Sequence, residues 1–422
     1  MKRFSKAESG WMLYDWANSA YSVIISTAIF PIFYKASADA AGVDGVDSTA
    51  YLGYTIAIAT FILAMLSPIL GTIADYEGLK KKFFAFFFVI GVVSTGLLAA
   101  VPYDSWLVLL ALYTITAIGF AGANVFYDAF LVDVTREDKM DDLSARGYGW
   151  GYIGSAIPFL VCIAIIMLSQ MEILPLSVTA ASQISFVITA IWWAVFTIPM
   201  LKHVHQIYFI TREKKPITNS FKRLGGTLKK IRLYKPLFLF LIAYFFYIDG
   251  VGTIIKMSTA YGTDLGISST SLLLILFLTQ VVAAPFAILY GRLAERFTGK
   301  KMLYVGIGVY IIVCIYAYFL KTTIDFWILA MLVATSQGGL QALSRSYFAK
   351  LIPKDQANEF FGFYNIFGKF AAVMGPLLVA VTAQITGSTS TGVLSLVVLF
   401  IIGGVILAFV PETKQEAGMV SE

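Results

Sequence analysis

Charge is scarce in this chain. Of its 422 residues only 13% are Asp, Glu, Lys or Arg, against 59% hydrophobic and 15% aromatic. A soluble domain of this length needs more polar surface than 31 basic and 25 acidic residues can supply, which excludes soluble enzymes and disordered chains. Cysteine and histidine are scarcer still, at two each. Cys162 and Cys314 lie in apolar runs in different halves of the chain and read as small core-filling residues, not as a disulfide or metal site. His203 and His205 have no further ligands nearby, so no metal site is expected there. No cleavable leader is expected either: Lys2 and Arg3 precede a polar start, so the first apolar segment is expected to remain as a helix. The net charge of +6 would mark a nucleic-acid binder only if it formed a basic face on a soluble domain. Here it is spread over loops, and no nucleic-acid partner is expected.

What the chain has in abundance is long apolar runs. Stretches of about 20 residues, each enough to cross ~30 Å of hydrocarbon, recur at roughly 11–35, 51–73, 83–102, 105–131, 146–169, 178–201, 236–259, 269–290, 302–320, 325–348, 360–384 and 391–410. If both termini are cytoplasmic, 27 of the 31 basic residues fall on the inner side, as the positive-inside rule requires for an even number of spans. Lys35, Lys256 and Lys321 fall toward the other side, and Lys369 lies inside a span. The expected fold class is an all-α membrane protein of twelve transmembrane helices, placed as a multi-pass protein of the cell membrane and acting as a monomer.

The polar connection 202–235 separates six spans from six. In it Phe221, Leu224, Leu228 and Ile231 recur at helical spacing among Lys222, Arg223, Lys229, Lys230 and Arg232, a pattern that suits a helix lying on an anionic leaflet. A solvated basic linker is the other reading. The expected units are 1–201, 202–235 and 236–422. The two large units repeat one another: Gly71-Thr72-Ile73-Ala74-Asp75 followed by Lys80-Lys81 returns, 220 residues on, as Gly291-Arg292-Leu293-Ala294-Glu295 followed by Lys300-Lys301. Gly122, Asn124 and Phe130 match Gly339, Gln341 and Tyr347 at an offset of 217. Parallel six-helix repeats point to a two-bundle transporter with pseudo-two-fold symmetry and a solute site near mid-membrane.

The loop from Gly71 through Asp75 and Gly78 to Lys81 resembles the loop between the second and third helices of the major facilitator superfamily, with Tyr76 where that pattern has Arg. Its glycines suit a tight turn and close helix approach, and its acid can sit against a facing helix N-terminus. Five further stretches narrow the resemblance: Tyr14-Asp15-Trp16-Ala17-Asn18-Ser19-Ala20-Tyr21; Phe126-Tyr127-Asp128-Ala129-Phe130-Leu131; Tyr247-Ile248-Asp249-Gly250; Gln337 through Ser346; and Phe360 through Lys369. Together they look like the vacuolar-effluxer (autophagy-related) family within that superfamily. The resemblance implies export of small solutes such as amino acids, and a role for Asp75 in holding one state of an alternating-access cycle.

Charges inside spans cost ~3 kcal/mol or more at mid-bilayer, so each is a functional candidate. Asp249 and Lys369 are expected at one depth, there to bind the two ends of a zwitterion or to pair with each other. Asp15 aligns with Asp249 at an offset of 234, with Asn18 and Tyr21 expected on the same cavity-facing side. Asp128 and Arg345 correspond at an offset of 217 and are read either as a gate between the halves or as local packing pairs. The candidate substrate contacts are Asn18, Tyr21, Asn124, Asp249, Gln341, Asn365 and Lys369. Those for proton or cation coupling are Asp15, Asp128 and Asp249; those for gating are Asp75, Asp128, Glu295 and Arg345. Gly362 to Lys369 superficially matches a phosphate loop, but five residues separate its glycines and Phe370 follows the lysine, so no ATPase is expected. Nor is an enzyme or a cofactor. The expectation is a secondary transporter of a small polar solute, with a sugar, peptide or amphiphile as other cargo, or a sensor or scaffold on the same fold.

Overall fold

The computed structural model describes residues 4–211, 216–229, 234–264, 267 and 269–412. Twelve helices among them are long and apolar enough to cross a membrane. In order they are Lys6–Ala40, Gly45–Ala74, Lys80–Leu97, Trp106–Ala129, Met140–Gln170, Val178–His203, Lys235–Asp264, Ser269–Phe297, Gly299–Tyr318, Thr323–Leu351, Ala357–Thr386 and Thr389–Ala408. They are called here the first to the twelfth span. The linker contributes a further helix, Pro216–Lys229, on which Phe221 is exposed. The side chains of Leu224, Leu228 and Lys229, and residues Lys230, Ile231 and Arg232 altogether, lie outside what is described.

Local chemistry sets the element ends. Ser5 and Glu8 form a capping box that starts the first span, satisfying donors that its first turn leaves free. That span widens into a π-helical segment, Tyr21–Ala28, before resuming as an α-helix, an irregularity that is frequent at functional sites. Prolines 68, 158, 199, 285 and 376 lie inside spans; each removes one ladder bond and favours bending there. The second span ends in a turn at Gly78, whose φ of 71° is the left-handed conformation glycine adopts without strain.

The helices are apolar on most sides, as lipid-embedded helices must be. Residues such as Phe86, Leu107, Ile191, Ile312 and Ile385 remain exposed, forming the belt that meets hydrocarbon. In the first half the core is aromatic, with Tyr14, Phe84, Phe88, Trp193 and Phe120 in mutual contact. Glycines 147, 151 and 154 on the fifth span lie against Asp15, Trp11, Ser19 and Trp16 of the first, so that small-residue face packs helix on helix. The first six spans meet the last six chiefly through the fifth span against the eighth and tenth, and the second and fourth against the eleventh. The loop after the second span, the linker and the start of the eleventh span share one face of the molecule, the linker face.

Candidate functional site

On the linker face, charged side chains cross from one half to the other. Arg345, near the end of the tenth span and 2% exposed, reaches into the first half. Its Nη1 donates to Asp128 Oδ1 and its Nη2 to Asp15 Oδ2, both at 3.2 Å. Its Nε donates to Ser144 Oγ at 2.9 Å and Nη2 also to the Ser144 carbonyl at 3.1 Å. The guanidinium lies over Trp11 and Tyr148, 4.5 Å from each ring centre. The candidate pair Asp128–Arg345 is therefore in contact, and it is one arm of a three-residue cluster. Asp15, expected to act apart from this pair, is the other arm. Two carboxylates share one guanidinium here, which leaves a surplus negative charge when both are ionised.

A second tie lies beside the first. Lys350 Nζ and Ser346 Oγ of the tenth span both donate to Asp141 at the start of the fifth, each at 2.6 Å. The third joins the loop after the second span to the eleventh. Asp75 Oδ1 accepts from the Asn358 backbone N–H and from Asn358 Nδ2, each at 2.9 Å, and Oδ2 accepts from the Glu359 N–H at 3.3 Å. Asp75 is thus an N-terminal cap supplied across the seam, satisfying first-turn donors and the positive end of the helix dipole. Gly71 permits the approach, since a Cβ there would overlap the Asn358 carbonyl oxygen. Arg223 of the linker helix completes the site, donating to Asp75 Oδ2 at 3.0 Å and to the fully buried Glu359 at 2.9 Å. Burial pushes the Asp75 carboxyl up to about 7, while Arg223, Lys80 and the Asn358 donors oppose that rise.

The repeat of this loop behaves differently. Gly291 lies against Ala145 and Asp141 at the start of the fifth span, as Gly71 does on the eleventh. Glu295, however, is exposed where Asp75 is buried, and Asp141 makes the charged tie at the start of the fifth span. Lys80, equivalent to Lys300, is fully buried against Asp133 at 2.6 Å. Asp133 in turn accepts the N–H groups of Ile207 and Tyr208, pinning the start of the linker.

The remaining candidates lie deeper in the spans. Asn18 Nδ2 donates to Asn124 Oδ1 at 2.9 Å, so these two come together. Tyr21, three residues on from Asn18, also contacts the fourth span: it is fully buried, bonded to Thr116 at 2.6 Å and stacked on Phe120. Gln341 and Asn365 are half-buried, and Asn365 Nδ2 donates to its own helix at the Phe361 carbonyl, 3.0 Å away. Asp249 and Lys369 do not pair. The seventh and eleventh spans meet with Gly368 against Tyr244 and Gly375 against Asp249 and Thr253, which sets Lys369 roughly one helical turn nearer the linker face than Asp249. Lys369 is half-buried with no carboxylate within 4.0 Å among the described residues. Asp249 is fully buried, and its Oδ2 has no hydrogen-bond partner among the described residues.

Residues 5–418 match the family model described as "Vacuole effluxer Atg22 like". The chain belongs to the Atg22-like effluxer family of major facilitator transporters. It is 72% identical, over 98% of its length and 96% of the relative's, to an uncharacterized MFS-type transporter, YxiO, of Bacillus subtilis. It is 24% identical to autophagy-related protein 22 of Kluyveromyces lactis over 81% of this chain and 75% of that one. Solved structures share the fold at low identity. The proton:xylose symporter XylE superposes with a TM-score of 0.69 at 12% identity, covering 99% of this chain and 98% of XylE. A bacterial homologue of the iron transporter ferroportin in an outward-facing state gives 0.65 at 13%, covering 96% and 98%. The Atg22-like chain is a multi-pass membrane transporter and not an enzyme, as its family requires.

Sequence reasoning missed Asp141, Ser144, Lys350, Asn358, Glu359 and Thr253. Glu359 carried a usable signal, an acid immediately before an apolar span. Arg223 had none, being one basic residue among ten in its stretch.

Proposed function

We propose that this protein moves a small polar solute, an amino acid or a molecule of similar size and polarity, across the cell membrane by alternating access coupled to a monovalent cation, in the export direction. The observation that carries this reading is the Arg345 cluster. A buried cation from one half is neutralised by Asp15 and Asp128 of the other, and such a contact exists only while the linker face is closed. Separating the halves exposes all three charges to water, so a bound solute or proton that weakens the cluster shifts the balance between states. The basic residues on the linker face support a cytoplasmic location for it, with both termini inside. The closed state is then the outward-facing one. Lys369, half-buried and without a carboxylate partner among the described residues, supplies a cation for the solute's carboxylate; Asn18 and Asn124 supply polar contacts on the other half.

The test is counterflow of labelled solutes in proteoliposomes, with and without imposed proton and Na⁺ gradients. Saturable exchange of an amino acid that an ion gradient accelerates is the expected result. Exchange of none of a panel of amino acids, sugars and peptides would overturn the reading in favour of a sensor or scaffold. One observation favours an amphiphile as the other cargo: a largely apolar cavity of about 90 Å³ between spans of the second half.

A further inference from the structure

Asp249 was expected to hold a solute's ammonium group, but its setting does not suit that task. With 0% of its surface exposed it is closed to a solute in a central cavity, and its Oδ2 has no partner among the described residues. A buried carboxylate without a counter-ion is strongly unfavourable, so a side chain so placed takes up a cation or a proton. Its neighbours close tightly on it. Thr253, one turn on along the same helix face, has its Oγ1 3.5 Å from Asp249 Oδ1. Across the helix contact, a Cβ at Gly375 would overlap Thr253 Oγ1 and lie 2.9 Å from Asp249 Oδ1. Only a glycine lets the eleventh span close on this pair. Pro376 follows inside the same helix; its missing N–H leaves a backbone carbonyl one turn earlier without its helical bond.

The charges near this spot are few. On its own helix Lys256 lies two turns away, and its field reaches Asp249. The eleventh span offers Lys369, a turn or so toward the linker face. The twelfth span, Thr389–Ala408, has no titratable side chain. On the tenth span Arg345 and Lys350 are held by Asp15, Asp128 and Asp141, and Asp325 caps its own helix. On the eighth span Arg292, Glu295 and Arg296 stand at the linker-face end. Thr253 also lines the largely apolar cavity of about 90 Å³, whose polar edge it forms together with Thr279, Gln280 and Gln337.

We propose that Asp249 and Thr253, closed in by the eleventh span at Gly375, form a monovalent-cation site, loaded by a proton or by Na⁺, and that Asp249 is not a solute ligand. This deepens the transport reading by placing the coupling ion in the second half, away from the Arg345 cluster, but the binding itself requires no solute.

The experiment uses the purified full-length protein in nanodiscs, with two arms. One measures ²²Na⁺ binding by scintillation proximity; the other follows the protonated-carboxyl stretch by infrared difference spectroscopy between about pH 5 and 9. Saturable ²²Na⁺ binding that is lost in Asp249→Asn and at least tenfold weaker in Thr253→Val assigns a sodium site. No ²²Na⁺ binding, with a titrating carboxyl band that Asp249→Asn removes and Thr253→Val shifts, assigns a proton site. Either signal surviving unchanged in Asp249→Asn, or both absent from the wild type, overturns the proposal. If Asp249→Asn does not fold, Thr253→Val and Gly375→Ala decide: both leaving both signals unchanged overturns it, and either altering one supports it. Cation binding in a protein that shows no solute counterflow would remove the transport reading alone; counterflow without this site would remove only the present proposal.

Discussion

Charges inside the spans fall into two groups that the fold treats in opposite ways. Near the linker face, Arg345 is satisfied by two carboxylates, a serine and three aromatic rings, all from the other half. Deeper in the second half, Asp249 and Lys369 lie close in sequence register yet do not meet, and neither has an opposite charge within 4.0 Å among the described residues. Burial alone therefore does not mark function; the identity of the partner does. Under the alternating access proposed above, partners in different halves would pair in one state and separate in the other, and a group without a partner would be the one to take up a ligand from solution.

The largest effect should come from removing the guanidinium. Arg345→Ala leaves Asp15 and Asp128 buried without a counter-charge, and breaking a buried pair in this way typically costs about 3–5 kcal/mol. The expected outcome is a protein shifted out of the linker-face-closed state, read as increased labelling of cysteines placed at Ser144 or Ser346. Exchanging the charges, Arg345→Asp with Asp128→Arg, should recover part of the closure. No recovery would mean that Asp15 is the dominant arm. Next in size is Lys369→Ala, expected to weaken solute binding at least tenfold while leaving linker-face labelling unchanged. Transport at wild-type affinity in that variant would place Lys369 with the structural charges and erase the contrast drawn above.

How much of this was legible beforehand follows from the same contrast. Span number, the repeat and the Asp128–Arg345 contact follow from hydropathy and from offsets, because pseudo-symmetry conserves depth and a charge in a span must have a reason. Asp75 on a helix N-terminus was readable for a similar reason, since glycine spacing and an acid suffice to suggest a cap. What hydropathy did not give was exposure and register. Tyr21 is closed in against Thr116 and Phe120 of the fourth span, and hydropathy does not distinguish a buried aromatic from a cavity-facing one. Asp249 and Lys369 missed each other by about a turn because the register between two helices is set by Gly368 and Gly375, not by distance from the ends of the spans. Glu295 kept its place in the motif but is exposed where Asp75 is buried, and the bonds that tie the start of the fifth span to the tenth are made by Asp141.

The linker offers a milder test. Arg223 is partly exposed, so its bonds to Asp75 and Glu359 are screened and contribute on the order of 1 kcal/mol. Arg223→Gln should loosen the linker face several-fold, as read by accessibility of a cysteine at Asn358, and raising salt should produce a similar loosening in the wild type but little in the variant. Equal salt sensitivity in both would assign the effect to other charges.

The last test is that of pH, and its sign is fixed by where Asp75 resides in each state. In the closed state burial raises its carboxyl from 3.8 to about 7; once the halves part it returns to water and to the ordinary range. The closed state therefore binds the proton more tightly, and by linkage it gains stability as pH falls through about 7, with no further gain below about 4. One group changes the balance by at most tenfold per pH unit, and the opposing contacts from Arg223 and the Asn358 donors are already included in that raised value. Cysteine accessibility on the linker face should accordingly decrease from about pH 8 to about pH 5, and Asp75→Asn, which keeps the shape but cannot titrate, should flatten the profile. A wild-type profile of the opposite sign would mean that a different carboxylate, Asp15 or Asp128, governs closure. In that case proton uptake would act by dissolving the Arg345 cluster, not by tightening the cap on the eleventh span.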